Sequence, residues 1–392
     1  MPYSSASPGS ASGFQVLFGF GGNRGEYPGD LTAVNAQSGF SLYGTTFAGG
    51  TYNSGTVFNL QTDGKERVLY DFSGGQKGTG PSPLTRLNGT FYGVTAYTEL
   101  VGGQLKGGTV FAVNKSGKER TLYVFQDSPD GSLPVAKLTA LNGILYGTTQ
   151  DGGTSPCPGL GNDGCGIVFA TTITGQERVL YSFKGAPYDG AIPESSLLYH
   201  NERFYSTTTF GGSGGCYNSD KLGCGTVFSI TPSGQEHVLH SFTGGTDGAY
   251  PLARLVNVSG TLYGTTEQGG TNCYGAGCGT VFSITPRGKE TVIYTFKGGS
   301  DGKYPFSGLT LMNGTLYGTT EDGGGAGCQG QGCGTIFSVT TTGKEQILYR
   351  FSGNPPDGKF PESDLTLLNG ALYGTTDNGG ARHHGIAFEI TP

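Results

Sequence analysis

The sequence predicts an all-β fold, a seven-bladed β-propeller built from four-stranded blades. Three observations predict it: a short phrase occurs seven times, each repeat reads as four strands, and one repeat is split between the chain ends. The phrase is LYGTT or a close variant, and a GTVF-like tetrad follows every copy. The copies begin at Leu42, Phe91, Leu145, Phe204, Leu262, Leu316 and Leu372. A fixed period indicates a repeat architecture in which each repeat is one structural unit.

Each repeat reads as four short strands joined by turns. In the sixth repeat, the segments PFSGLTLMNG, TLYGTT, GTIFSVT and KEQILYRF are separated by NG, GG and TGKE turns, which are typical of β-hairpins. Alternation in the second strand places Leu316 and Gly318 on one face and Tyr317 and Thr319 on the other. Helical spacing is absent throughout the sequence.

The repeat is out of phase with the ends of the chain. A fourth-strand phrase, QVLFGF at 15–20, precedes any complete repeat, whereas the last repeat stops at GIAFEITP, 385–392, without that strand. An N-terminal outermost strand that completes the C-terminal blade would close the ring and protect its edges. An open β-solenoid is the alternative, but that architecture gives no reason for one repeat to be split between the chain ends. We therefore expect a flexible leader over 1–14 and a single propeller domain over 15–392.

The L-Y-G-T-T, G-G and G-T-V-F motifs resemble those of the bacterial tandem-repeat family named for Gloeobacter and Verrucomicrobia. The resemblance covers the chain from Gln15 to Pro392. It implies propeller-like repeats in an exported surface protein, in a family with varied anchoring tails and no settled activity. No such tail follows Pro392, so the resemblance leaves the mode of anchoring open.

Composition excludes several classes of protein. The chain has 75 Gly but also 22 Tyr and 23 Phe to bury, so neither collagen nor a disordered chain fits. The formal charge is -6, and Lys and Arg are scattered, which argues against a nucleic-acid partner. No apolar run reaches the roughly 18 residues of a membrane span, and the first residues lack the pattern of a signal peptide.

All eight Cys lie in pairs in the loops between second and third strands. One pair in each of four consecutive repeats predicts four local disulfides and an oxidising compartment, extracellular or at the cell surface. Zinc is the alternative, but it needs four ligands at one point, and each loop offers two Cys without a nearby His. We expect no metal and no cofactor. The predicted pairs are Cys157 with Cys165, Cys216 with Cys224, Cys273 with Cys278, and Cys328 with Cys333.

The long loops lie on one face of the predicted ring, and the loops between blades repeat Asp-Gly-x-x-Pro. This pattern predicts a turn in which the carboxylate accepts backbone N–H groups. Calcium is the alternative, but its D-x-D-x-D-G ligand spacing is missing. The repeated aspartates are Asp130, Asp189, Asp247, Asp301 and Asp357.

The pattern breaks in blades 7, 1 and 2, which are neighbours only if the ring closes. Cations stand at the Asp position of two loops, the Cys pair is missing, and aromatic and charged residues appear in the loops. This sector predicts a pocket for a polar or anionic ligand such as a glycan, although drift of terminal repeats is the alternative. The predicted ligand-binding residues are Arg24, Tyr27, Tyr52, Lys77, Tyr97, Glu99 and Arg382.

The same sector offers groups for acid–base catalysis. Two carboxyl groups could hydrolyse a glycosidic bond, and a His base could act in a polysaccharide lyase. The predicted catalytic residues are Glu362, Asp364, Asp30, His383 and His384. A second acid set, Glu267, Glu321 and Asp377, follows the repeated phrase in blades 5 to 7.

A binding protein needs fewer features than an enzyme does. It needs a rigid ring, aromatic surfaces and polar loops. An extracellular or cell-surface module that binds carbohydrate is therefore the first hypothesis. A glycoside hydrolase or polysaccharide lyase is the second, and a structural or protein-interaction surface protein is the third. The expected partner is a glycan or another polar extracellular ligand. The oligomeric state is left open, with a monomer as the expectation.

Overall fold

The computed structural model describes residues 13–36, 39–101, 104–159, 163–216, 222–273 and 275–392. These residues form seven antiparallel blades arranged in a ring, with the shortest strand of each blade innermost. Helical structure in the described residues is limited to three 3-10 turns, at Gly22–Arg24, Gly75–Lys77 and Cys328–Gly330. The prediction of an all-β, seven-bladed propeller is confirmed. We number the blades 1 to 7 along the chain and the strands 1 to 4 from the channel outward.

The strands of blades 1 and 2 are Thr32–Ala36, Gly39–Ala48, Thr56–Gln61, Glu66–Asp71, Thr85–Leu87, Thr90–Tyr97, Thr109–Val113 and Glu119–Val124. Those of blades 3 and 4 are Thr139–Leu141, Ile144–Thr149, Ile167–Thr172, Glu177–Ser182, Leu198–His200, Arg203–Thr208, Thr226–Ile230 and Glu236–Ser241. Those of blades 5 and 6 are Val256–Val258, Thr261–Thr266, Thr280–Ile284, Glu290–Thr295, Thr310–Met312, Thr315–Thr320, Thr335–Thr340 and Glu345–Arg350. Blade 7 consists of Thr366–Leu368, Ala371–Thr376, Ile386–Ile390 and Gln15–Gly19.

Shorter strands lie in the loops; the first two pair with the second strands of blades 1 and 2, and the others pair with one another. They are Glu26–Pro28, Thr79–Pro81, Glu99–Val101, Gln104–Lys106, Gly190–Ala191, Phe210–Gly211, Gly302–Lys303, Asp322–Gly323, Gly358–Lys359 and Asn378–Gly379.

The ring closes through the N-terminal strand, as the split repeat predicts. Gln15–Gly19 pairs antiparallel with Ile386–Ile390 and is the outermost strand of blade 7. Phe14, which precedes that strand, stacks on Tyr349 of blade 6 with ring centroids 3.7 Å apart. Residues 1–12 of the predicted leader lie outside the described residues.

Seven apolar clusters fill the interfaces between neighbouring blades, one for each interface. The cluster between blades 7 and 1, for example, contains Phe20 of the loop after the N-terminal strand and Phe58 of blade 1, with ring centroids 5.0 Å apart. Because each blade buries its two faces against two neighbours, an incomplete ring would expose apolar surface at both ends. Closure therefore stabilises every blade.

The two Thr hydroxyls of the repeated phrase make hydrogen bonds between blades and between strands. In blade 6, Thr319 Oγ1 donates a hydrogen bond of 2.8 Å to the carbonyl of Pro361 in blade 7. The next residue, Thr320, shares a hydrogen bond of 2.8 Å with Thr335 in the neighbouring strand of its own blade. The first Thr thus ties a blade to the next one, and the second ties strands within the blade.

The Gly of the phrase is required by close packing. A Cβ atom on Gly318 would lie 2.8 Å from Phe337 Cζ and 3.1 Å from Leu309 Cδ2. Five other blades have Gly at this position and the same crowding. In blade 4 the residue is Ser206, whose buried hydroxyl donates to the carbonyl of Ser195. The phrase is therefore part of the scaffold.

The four predicted disulfides form, in blades 3 to 6. Each bridge lies against the loop that leads into the next blade; a Cβ atom on Gly244 would lie 2.7 Å from Cys216 Sγ. The bridges therefore shape the face where the two classes of loop meet. None of the helical turns in the described ranges is long and apolar enough to cross a membrane.

Candidate functional site

A pocket of about 360 Å³ opens where blades 7 and 1 meet. It lies on the loop face, the face that carries the loops between second and third strands and the loops that connect blades. We call it the mouth pocket. Its lining combines two aromatic rings and three carboxyl groups, as small-molecule sites combine apolar and hydrogen-bonding groups. The lining residues are Tyr27, Pro28, Gly29, Asp30, Phe47, Glu362, Ser363 and Asp377.

Tyr27 is fixed in the pocket wall by an unusual backbone conformation. It has a φ of 57°, which residues preceding Pro rarely adopt. Its N–H donates a hydrogen bond of 3.3 Å to the carbonyl of His384, which belongs to the neighbouring blade. The same conformation recurs before Pro around the loop face, at Leu133, Ile192, Tyr250, Tyr304 and Phe360. Because the fold enforces this strain repeatedly, it gives the mouth a rigid wall.

Carboxyl groups crowd the mouth in blades 5 to 7. Glu267, Glu321 and Asp377 each follow the second Thr of the phrase, so a shared register places them around one ring. Burial and the charges of Asp377 and Glu321 raise the pKa of Glu362 to about 8. Burial and the charges of Asp322 and Glu267 raise the pKa of Glu321 to about 7. Glu362 therefore holds its proton at neutral pH and Glu321 titrates close to neutral pH, so both can donate as well as accept hydrogen bonds.

A second cavity of about 360 Å³ lies deeper in the channel, and Asp30 lines both. We call it the channel cavity. Its charged residues come from the four odd-numbered blades, and each stands directly before the Leu that leads into a first strand. The shared position explains why they face one another. They are Asp30 of blade 1, Lys137 of blade 3, Arg254 of blade 5 and Asp364 of blade 7.

The charged groups of the channel cavity form a network across the ring. Arg254 Nε donates to the carboxylate of Asp364, and this ion pair raises the pKa of Arg254. The backbone N–H of Asp364 donates a hydrogen bond of 2.8 Å to Asp30 Oδ1. Burial, followed by the charge of Asp364, raises the pKa of Asp30 to about 7. Lys137 Nζ donates a bond of 3.3 Å to the hydroxyl of Thr32, and burial lowers its pKa.

The family model of the Gloeobacter/Verrucomicrobia repeat matches residues 5–219, 158–331 and 219–392, so that the matches together span nearly the whole chain. The protein belongs to the Gloeobacter/Verrucomicrobia repeat family. A comparison with curated proteins finds no match to this repeat protein.

Solved structures share the fold of this repeat protein at low identity. Puromycin hydrolase is similar with a TM-score of 0.53 and 12% identity, covering 90% of this chain and 50% of that one. The acylaminoacyl peptidase of Pyrococcus horikoshii has a TM-score of 0.46 and 10% identity, covering 94% and 52%. An α-L-arabinofuranosidase of Fusarium graminearum, in complex with arabinobiose, has a TM-score of 0.46 and 14% identity, covering 82% and 91%. The chain spans about half the length of the hydrolase and the peptidase. The likeness to puromycin hydrolase shows the fold alone.

The structure brings four predicted site residues of the repeat protein together. Tyr27, Asp30 and Glu362 line the mouth pocket, and Asp364 is hydrogen-bonded to Asp30 in the channel. The sequence places these residues at the two ends of the chain, and ring closure makes them neighbours. Their roles in catalysis or ligand binding remain predictions.

Arg24 and Lys77 lie at the outer edge of the ring. Arg24 pairs with Glu66 at 2.8 Å, and Lys77 pairs with Glu119 at 2.6 Å; both glutamates begin an outermost strand and are almost completely buried. In blade 4, by contrast, Asp189 occupies the cation's position and accepts bonds from backbone N–H groups, as the turn pattern predicts. The two cations thus have structural partners, and their predicted part in ligand binding stays a prediction.

The His pair and Arg382 lie at the seam between blades 7 and 1 but do not line the mouth pocket. His384 Nδ1 is 3.3 Å from Glu26 Oε2, and its ring meets Tyr27 edge-on. His383 is exposed in a loop with a φ of 66°. Arg382 packs beside Gly21 and is exposed.

Tyr97 and Tyr52, two further predicted binding residues, are not among the lining residues of the mouth pocket. Tyr97 approaches Phe47 with ring centroids 6.5 Å apart. Tyr52 is largely exposed, on the loop after the second strand of blade 1. The side chain of Glu99 lies outside the described part of the structure.

Sequence reasoning missed Phe47, Lys137 and Arg254. Phe47 follows the second Thr of the phrase in blade 1, where blades 5 to 7 have carboxylates. Lys137 and Arg254 stand at the same repeat position as Asp30 and Asp364. A comparison of that single position across all seven repeats is the signal that finds them.

Proposed function

We propose that this repeat protein is an extracellular carbohydrate-binding module, and that the mouth pocket holds one sugar residue of its ligand. The observation that carries the proposal is the pairing of aromatic rings with carboxyls in that pocket. Phe47 is 45% exposed although it is a large apolar ring, and Glu362 and Asp377 line the same pocket from blade 7.

Sugars present an apolar C–H face and a rim of hydroxyls. An aromatic ring such as Phe47 or Tyr27 can stack on the C–H face, while carboxyls accept from or donate to hydroxyls. A volume of about 360 Å³ is within the usual range for small-molecule sites. The four disulfides support an extracellular location, because such bridges persist in oxidising compartments.

Glycoside hydrolysis is a second candidate, and one observation favours it. The pKa of Glu362 is raised to about 8 beside the carboxyl of Asp377. A carboxyl that keeps its proton at neutral pH next to a second carboxyl is the arrangement of a general acid and its partner in glycosidases. Glu362 would protonate the leaving oxygen, and Asp377 would act as base or nucleophile.

A glycan array followed by a reducing-sugar assay tests both candidates. The binding proposal predicts retention of one class of glycan without product release. Product release that is lost in Glu362→Gln, while the glycan is still bound, supports the enzyme instead. If no glycan on the array binds the full chain, the proposal of carbohydrate binding is wrong.

A further inference from the structure

The channel cavity leaves one half-buried cation, Lys137, without a direct ion pair among the described residues. Arg254 is neutralised by Asp364 and also donates to Thr310 Oγ1 at 3.3 Å. In the part of the chain that the structure describes, the one hydrogen-bond partner of Lys137 Nζ is the hydroxyl of Thr32. An ammonium group removed from bulk water is unfavourable unless a negative charge or several acceptors compensate it.

We propose that the channel cavity is a binding site for a small organic carboxylate, held between Lys137 and Arg254. The ammonium of Lys137 would pair with the carboxylate, and the remaining guanidinium N–H groups of Arg254 would donate to it. A volume of about 360 Å³ accommodates a molecule the size of a sugar acid. This site does not depend on a sugar at the mouth pocket.

The rest of the lining favours an organic anion over an inorganic one. Leucine residues of five blades line the cavity together with three hydroxyl-bearing residues. Those lining residues are Leu31, Leu138, Thr139, Ser196, Leu197, Leu198, Leu255, Leu365 and Thr366. A phosphate or sulfate ion would leave the apolar walls facing water, whereas a carboxylate with a carbon skeleton would cover them.

Asp30 makes the site sensitive to pH. The charged groups that face Asp30 are Asp364, Lys137 and Arg254, and burial with the charge of Asp364 raises the pKa of Asp30 to about 7. When Asp30 is protonated, the two cations and the single anion of the cavity leave one net positive charge. When Asp30 is ionised, it compensates Lys137 and repels an incoming carboxylate. Binding is therefore accompanied by proton uptake, and affinity falls about tenfold from pH 6 to pH 8.

Isothermal titration of the full chain with cyclohexanecarboxylate and its neutral amide tests this site. The acid should bind at pH 6 and the amide should not, because the two differ mainly in charge. Lys137→Gln should weaken binding at least tenfold, whereas Lys118→Gln, at an exposed lysine, should leave it unchanged. Asp30→Asn should bind equally well at pH 6 and pH 8.

Thermal melting of each variant shows whether it is folded. If Lys137→Gln fails to fold, the near-isosteric Asp30→Asn variant still decides the question through its pH profile. Equal binding of acid and amide, no binding of either, unchanged affinity in folded Lys137→Gln, or an unaltered pH profile in Asp30→Asn would each overturn the proposal.

Discussion

The backbone N–H of Asp364 donates a hydrogen bond of 2.8 Å to Asp30 Oδ1, and the two residues are 334 positions apart in the chain. Asp364 also accepts a hydrogen bond from Arg254. The contact that joins the last blade to the first is therefore part of the charged network of the channel. The contact between Asp364 and Asp30 therefore both helps to close the ring and helps to assemble the candidate site.

Removal of the Asp364 carboxylate should destabilise the protein. In Asp364→Ala, Arg254 loses its ion pair in the channel, and an unpaired cation away from bulk water is unfavourable. The Arg254 side chain is partly exposed, so we expect the free energy of unfolding, measured by urea titration, to fall by about 1 to 3 kcal/mol. Asp63→Ala, which breaks an exposed pair with Lys65, is the control and should change nothing measurable. Equal stability of the two variants would contradict a structural role for the channel network.

Gly318→Ala should destabilise blade 6 through overpacking. The added methyl would lie 2.8 Å from Phe337 Cζ and 3.1 Å from Leu309 Cδ2, so both side chains would have to move. We expect a loss of about 1 to 3 kcal/mol in the free energy of unfolding. Gly19→Ala is the matched control, since its added methyl would have no described atom within 4 Å beyond its own chain neighbours. A neutral Gly318→Ala would show that the phrase is not a packing requirement.

Thermal stability should fall as the pH rises from 5.5 to 8.5. Glu177, Glu236 and Glu345 begin outermost strands, and burial together with a neighbouring Asp raises the pKa of each from 4.5 to about 7. A raised pKa means that the folded state holds a proton that the unfolded state releases. This contribution to stability is fully present below about 4.5 and is lost as the pH passes through about 7.

Melting temperatures across this range at constant ionic strength check the expectation. Glu236→Gln should reduce the slope, because a neutral side chain replaces a titrating one. Glu202→Gln, at an exposed position, is the control and should keep the wild-type slope. A melting temperature that is constant or rises with pH would contradict the assignment.

The fold was predictable because its determinants repeat in a local register. The Thr hydroxyls and the Gly of most phrases make the same contacts in their blades, so the repeats give the same structural rule several times. The split repeat then indicated how Gln15–Gly19 completes blade 7. The disulfides were predictable for the same reason, since each pair lies within one loop.

The site was only partly predictable, because the role of each residue depends on contacts between repeats that are far apart in the sequence. Arg24 and Lys77 stood out as departures from the pattern, but the sequence did not show that Glu66 and Glu119 are their partners. In the sequence, Lys137 and Arg254 resemble ordinary surface cations. Only the closed ring shows that their shared repeat position faces the channel. Phe47 was concealed because a single aromatic residue at a strand end has no distinctive pattern.

The most direct test of carbohydrate binding at the mouth pocket is the affinity of the array-selected glycan for Phe47→Ala, measured by titration calorimetry. Tyr188→Ala is the matched control, because Tyr188 is an aromatic residue that is 89% exposed and does not line the pocket. We predict about tenfold weaker binding by Phe47→Ala and wild-type affinity for Tyr188→Ala, since burial of the exposed part of a Phe ring contributes on the order of 1 to 2 kcal/mol. Wild-type affinity in a folded Phe47→Ala variant would contradict the account.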